Sequence, residues 1–133
     1  MRLLIFAFIA LGIGQCSTEK EMLSQDDDRA ALNKQFEELR AISESVSCTD
    51  PSTWKFTAVG NKACGGPATY MAYSTEINES TFLEKVKTYT QAEKDFNAKW
   101  GAISDCSIQN PPSGIECVDG KASLIYRGIS TLY

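Results

Sequence analysis

The side chains of this chain that could do chemistry are carboxylates and cysteines, because its 133 residues include no histidine. That composition removes Ser-His-Asp and Cys-His arrangements, histidine-bound metals and the commonest general base near neutral pH. Glu76, Glu79, Glu84, Asp105 and Glu116 have the chemistry for the acid–base pair of a glycosidase. Nothing in their spacing brings two of them into one cleft, and solvated surface acids are the simpler reading. Gly65 and Gly66 do not form a phosphate cradle, since neither GxxxxGK nor GxGxxG is present. The chain is therefore expected not to be an enzyme and to need no cofactor.

The cysteines are better spent on attachment and cross-linking. Met1 and Arg2 precede a small-or-apolar run from Leu3 to Gly14, and polarity switches after Cys16 to Ser17-Thr-Glu-Lys-Glu21. One positive charge, a short apolar stretch and small residues at its end make an export signal. A membrane span needs about twenty apolar residues, more than this run supplies. Two readings of the junction compete. Cys16 is either the lipid-modified first residue of a mature lipoprotein, or an ordinary cut falls after Gly14. Gln15 before the cysteine is unusual for lipidation. Parity favours it, because five cysteines in an exported chain leave one unexplained unless Cys16 carries lipid. Residues 1–15 are accordingly read as signal peptide, 16–25 as a polar tether and 26–133 as one domain.

Cys48, Cys64, Cys106 and Cys117 then form an even set with three possible pairings, which sequence does not decide. Local spacing favours Cys48–Cys64 and Cys106–Cys117, closing loops of about 16 and 11 residues, each worth on the order of 3 kcal/mol by loop entropy. Zinc fails on spacing, because no two of the four lie two to four residues apart. No metal site is expected.

Hydrophobic content of 43% and aromatic content of 10% suit a globular domain that buries a core. The formal charge of −4 falls to −5 once Arg2 leaves with the leader. An acidic surface repels phosphate backbones, so nucleic acid is not an expected partner.

The elements that must position these residues are legible from periodicity. Leu32, Phe36, Leu39, Ile42 and Val46 fall on one face of a helix from Asp26 to about Val46, with Ser24 and Asp27 as a capping box. Asp26, Asp27 and Asp28 complement its positive end. Turn chemistry over residues 47–52 stops it. Residues 54–59 alternate as a strand with Trp54, Phe56 and Ala58 on one side, and residues 69–73 form its antiparallel partner across a glycine-rich connection. Phe82, Val86, Tyr89, Ala92, Phe96 and Trp100 define a second helix from Thr81 to Trp100. Thr81 and Glu84 cap its start, and Gly101 ends it. Short strands are expected around Cys106, over 115–118 and over 121–126, the last two joined by Asp119-Gly120. The fold class is α+β in two layers, two helices on one face of a small antiparallel sheet, disulfide-stapled.

From Cys48 onward the pattern resembles uncharacterised small exported bacterial lipoproteins. The shared features are a tryptophan strand (Trp54), Lys62-Ala-Cys-Gly-Gly-Pro67 followed by Tyr70 and Tyr73, the Phe82–Trp100 helix, and Pro111-Pro-Ser-Gly-Ile-Glu-Cys-Val-Asp-Gly120. Relatives of this kind often carry a further cysteine shortly after that last glycine. Ala122 stands there, so the resemblance implies that one disulfide of some relatives is missing or rearranged. It supports export and fold and implies no chemistry.

Two loops are the expected recognition surfaces. Gly65, Gly66 and Pro67 form a stretch that needs unusual backbone angles. Asn110, Pro111 and Pro112 lie in a proline-stiffened loop, 109–114, between Cys106 and Cys117. A pre-stiffened loop loses little entropy on docking, as in small protease inhibitors. The expected function is a monomeric, non-enzymatic binding module of the cell envelope, held to a membrane through lipid on Cys16, with a protein or polymer ligand. A soluble secreted protease inhibitor is the alternative, and a carboxylate-dependent glycosidase a lesser one.

Overall fold

The computed structural model describes residues 24–126, so the export signal, Cys16 and most of the tether lie outside the described residues. The first helix, α1, spans Gln25–Ser43. Ser24 caps it: the Asp27 N–H donates to the Ser24 hydroxyl, and the Ser24 N–H donates back to the Asp27 carboxylate. Both halves of the expected capping box are made. The helix stops three residues short of Val46 for a local reason. The Ser43 and Ser45 hydroxyls donate to the carbonyls of Arg40 and Ile42, diverting the last turn from regular helical bonding.

A 3₁₀ turn at Pro51–Thr53, capped by Asp50, leads into β1 (Trp54–Val59). Residues 60–68 connect β1 to β2 (Thr69–Ser74), and the two pair antiparallel with Trp54 opposite Ser74 and Val59 opposite Thr69. The second helix, α2, is Glu79–Trp100. Its cap is Asn78 rather than Thr81, because the Asn78 side-chain oxygen accepts the Thr81 N–H at 3.1 Å. Starting earlier puts Glu79 in the first turn, where its charge suits the helix end. Gly101 closes α2 in the left-handed conformation, φ 59°.

After α2 the chain differs from expectation. No strand forms around Cys106, and residues 102–113 run without regular structure. Their polar groups are taken by a side chain: the Lys62 ammonium meets the Asp105 carboxylate and the carbonyl and hydroxyl of Ser107, each at 3.0 Å. Two strands then follow, β3 (Gly114–Val118) and β4 (Lys121–Ile125), paired antiparallel. Asp119 and Gly120 between them have φ 50° and 76°, the signature of the tight hairpin that Asp-Gly favours.

The fold is thus α+β, with two helices packed against antiparallel strands that come as two separate hairpins, β1–β2 and β3–β4. Phe82, at 1% exposure, centres a core that also takes Leu32 and Leu39 from α1, Val86, Tyr89 and Phe96 from α2, and Val59, Met71 and Tyr73 from the strands. Each such side chain contributes roughly 1.5–3 kcal/mol by leaving water. Of the two strand tyrosines three apart, Tyr73 is buried and Tyr70 only half so, as alternation requires. The helix-facing side of β1 is the one carrying Val59. Trp54 and Phe56, on the other side, line clefts shared with the second hairpin.

The disulfides are Cys48–Cys117 and Cys64–Cys106. This corrects both pairings favoured by local spacing. Each bridge spans elements far apart in sequence, 69 and 42 residues, because the fold brings the end of α1 to β3 and the β1–β2 connection to the 102–113 segment. Disulfides of this kind belong to an oxidising, extracytoplasmic setting. Among the described residues no helix is long and apolar enough to cross a membrane.

Candidate binding cleft

An open cleft of about 760 Å³ lies where the end of α1, β2 and the β3–β4 hairpin meet. Three contacts place its walls. The Cys48 N–H donates to the Gly120 carbonyl at 2.8 Å, and the Ser47 hydroxyl reaches the same oxygen at 3.3 Å. The Cys48–Cys117 bridge ties the same two segments covalently. Gly120 is needed there twice over, since φ is positive and a Cβ would meet the Ser47 hydroxyl at 3.0 Å.

Trp54, at 8% exposure, forms part of the floor. Tyr70, Met71 and Ala72 of β2 make one wall, and residues 119–124 of the second hairpin make the facing one. Successive side chains of a strand point to opposite faces. A wall built from consecutive residues is therefore a strand edge, presenting backbone as well as side chains. Ser43, Ser45 and Ser47 add hydroxyls from the α1 terminus, and Arg40, Glu44, Asp119 and Lys121 place both charge signs around it. Arg40 pairs with Glu37 at 2.5 Å. Among the described residues Glu44, Asp119 and Lys121 form no ion pair.

The five carboxylates singled out from sequence lie elsewhere. Glu79 accepts both contacts of the Lys55 ammonium, at 2.9 and 3.0 Å, and the Tyr73 hydroxyl at 2.9 Å. The Lys55 bond, then the Tyr73 bond, hold its carboxyl below the ordinary range. Burial, then the Glu79 bond, push the Tyr73 hydroxyl up to about 12. Asp105 is lowered by the Ser107 hydroxyl and then by Lys62. Glu84 sits on the outer face of α2, and Glu76 and Glu116 are exposed. None of the five lines the large cleft, and each of the two engaged ones is matched to its own lysine. Among the described residues no group of three or more Cys, Asp or Glu is placed to hold a metal.

The two loops expected to recognise a ligand are sewn together at their bases. Cys64 bonds Cys106, and Lys62, preceding one loop, grips Asp105 and Ser107, preceding the other. Gly65 and Gly66 have φ 93° and 81°, the unusual angles their sequence suggests, inside a turn closed by Lys62. Asn110 and Pro111 are exposed, whereas Pro112 is buried and serves packing. Neither loop lines the large cleft.

Sequence reasoning missed the polar ties that hold these parts. The Gly60 N–H donates to the Thr90 hydroxyl at 3.0 Å and the Asn61 N–H to the Glu93 carboxylate at 2.7 Å, while the Asn97 amide reaches the Asn61 carbonyl at 2.7 Å. Asp28 does more than complement the α1 dipole. It accepts the Lys99 ammonium at 2.6 Å and the Trp100 indole N–H at 2.9 Å, joining the two helices. These partners lie thirty or more residues apart, so no local pattern announces them.

Comparison with family models, with curated proteins and with solved structures gives no match. The site is accordingly read from its own geometry.

Proposed function

We propose that this protein is a non-enzymatic binding module of the cell envelope, held at a membrane by lipid on Cys16 and taking a protein or polymer ligand in the cleft between α1, β2 and the β3–β4 hairpin. The observation that carries the reading is that cleft. It is about 760 Å³ in size, within the range of ligand sites, and combines an aromatic floor with hydroxyls and unpaired charges. Cysteine parity supports the tether, since the four cysteines of the domain are spent on two disulfides and Cys16 is left over. The missing histidine supports a binding role over a catalytic one.

A protease-inhibitor reading needs the 109–114 loop closed by a Cys106–Cys117 bridge. Those cysteines pair elsewhere, and Pro112 is buried, so the cleft is the better-supported surface.

Two measurements test the proposal. Intact mass of the membrane-extracted protein is expected to include acyl chains, and a mass without them defeats the tether. Amide shifts of the mature chain against a chemically mixed set of fragments are expected to cluster at residues 43–47, 70–72 and 119–124. Hits that scatter, or that gather around residues 65–67 and 110–112, defeat the cleft.

A further inference from the structure

The end of the molecule where the tether joins α1 is also the end that shows the most apolar side chain to water. Among the described residues Ile103 and Ile108 are the most exposed large hydrophobics, at 97% and 87%. Single exposed apolar residues are ordinary on a protein surface, and what sets these two apart is their place. Asp28, in the first turn of α1, accepts the Lys99 ammonium and the Trp100 indole N–H at the close of α2, so the start of one helix lies beside the end of the other. The Asn97 amide holds the Asn61 carbonyl at that same end. The Cys64–Cys106 bridge, and the Cys64 N–H on the Ser104 hydroxyl, then fasten the exposed residues 63–66 beside the segment that carries both isoleucines.

These two segments are poor in charge. Over residues 63–69 and 101–115 the single Asp, Glu, Lys or Arg is Asp105, and Lys62 meets it at 3.0 Å. A surface of small uncharged residues with two protruding isoleucines can enter the headgroup boundary of a bilayer without stranding an ion there. The tether supplies the bilayer. Seven residues, 17–23, separate Cys16 from Ser24. Such a link reaches about 28 Å at full extension. From that exit α1 runs 19 residues, about 28 Å at 1.5 Å per residue, to the cleft at its far end. A lipid on Cys16 therefore brings the isoleucine end to the membrane and leaves the cleft on the side facing away. Asp26 and Asp27 are exposed at the exit, and with a net charge of −5 without the leader they favour neutral over anionic headgroups.

We infer that Ile103 and Ile108 enter the bilayer to which Cys16 is tethered, giving the lipid anchor a second contact and turning the cleft outward. This rests on the tether reading above. The membrane-extracted protein, reconstituted in phosphatidylcholine nanodiscs that carry acyl-chain nitroxide lipid, supplies the test. Amide signals of residues 63–66 and 103–108 are expected to broaden, and those of residues 44–47 and 119–124 to stay sharp. Ile103→Ser with Ile108→Ser, at positions already in water, is expected to reduce that broadening at least threefold with an unchanged urea midpoint. Broadening that spares residues 103–108, that survives the double substitution, or that requires added anionic lipid overturns the inference. Cover of the isoleucines that forms only when other envelope proteins are present assigns them to a protein and overturns it as well. If the mass includes acyl chains while the isoleucines stay in water, insertion falls and the tether stands. A mass without acyl chains removes both.

Discussion

Gly60 shows how one residue can be fixed by a contact far along the chain. It sits at φ 76°, and a Cβ there would collide with the Glu93 carboxylate and lie 2.9 Å from the Ala68 Cβ. Gly65, also at positive φ, has open space around it. Gly60→Ala is expected to destabilise the fold by about 2–3 kcal/mol and Gly65→Ala by about 1 kcal/mol, read as urea midpoints at constant slope. Titration belongs to the same scale. Asp27, Asp28, Glu79 and Asp105 are all lowered by hydrogen bonds that favour the charged form. A lowered folded pKa gives stability that is full above the unfolded value and is lost as pH falls through the folded one. Tyr73 and Tyr89, raised to about 12 chiefly by burial, act in the opposite sense, losing their contribution as pH climbs from about 10 toward 12. Thermal midpoints are expected to stay flat between about pH 5 and 9 and to fall on both sides. A continuous rise into alkaline pH would contradict this assignment.

At the scale of elements, α2 separates a pattern from a contact. Thr81 followed by Glu84 has the spacing of a capping box, but Asn78 holds the end. Asn78→Ala is expected to cost about 1 kcal/mol, while Thr81→Ala at an exposed position costs a few tenths at most. Equal losses at the two positions would reassign the cap. The helical periodicities of α1 and α2 and the alternation of β1 and β2 were legible because each element must bury one face. The strand expected near Cys106 was not, because its backbone partners are side chains. The Lys62 ammonium takes the Ser107 carbonyl, and the segment's own Ser104 hydroxyl accepts the Cys64 N–H, in place of a sheet ladder.

At the scale of the whole molecule, the disulfides link layers rather than neighbours. Separations of 69 and 42 residues raise the loop-entropy contribution to about 4 kcal/mol per bridge, against about 3 for the local alternatives. The two bridges differ in surroundings. Cys48 is 3% exposed, whereas Cys64 and Cys106 both face solvent. Graded reduction followed by alkylation and peptide mapping is expected to open Cys64–Cys106 first and leave Cys48–Cys117, with the cleft it braces, intact. Simultaneous opening would mean that the first bridge holds the global fold and not only the 102–113 segment.

The amino-acid sequence by itself determined the properties that arise within a few turns of chain: the faces of the helices, the Ser24 cap, the Asp119-Gly120 hairpin, the glycines at positive φ, and a chemistry without histidine. Only the tertiary structure decided which cysteines pair, which carboxylates meet a lysine, and that a cleft forms where the end of α1, β2 and the β3–β4 hairpin meet. The physical reason is range. Periodicity and capping are settled by neighbours in sequence, whereas the cleft exists because one bridge and the Gly120 carbonyl bring residues 47–48 and 117–120 together.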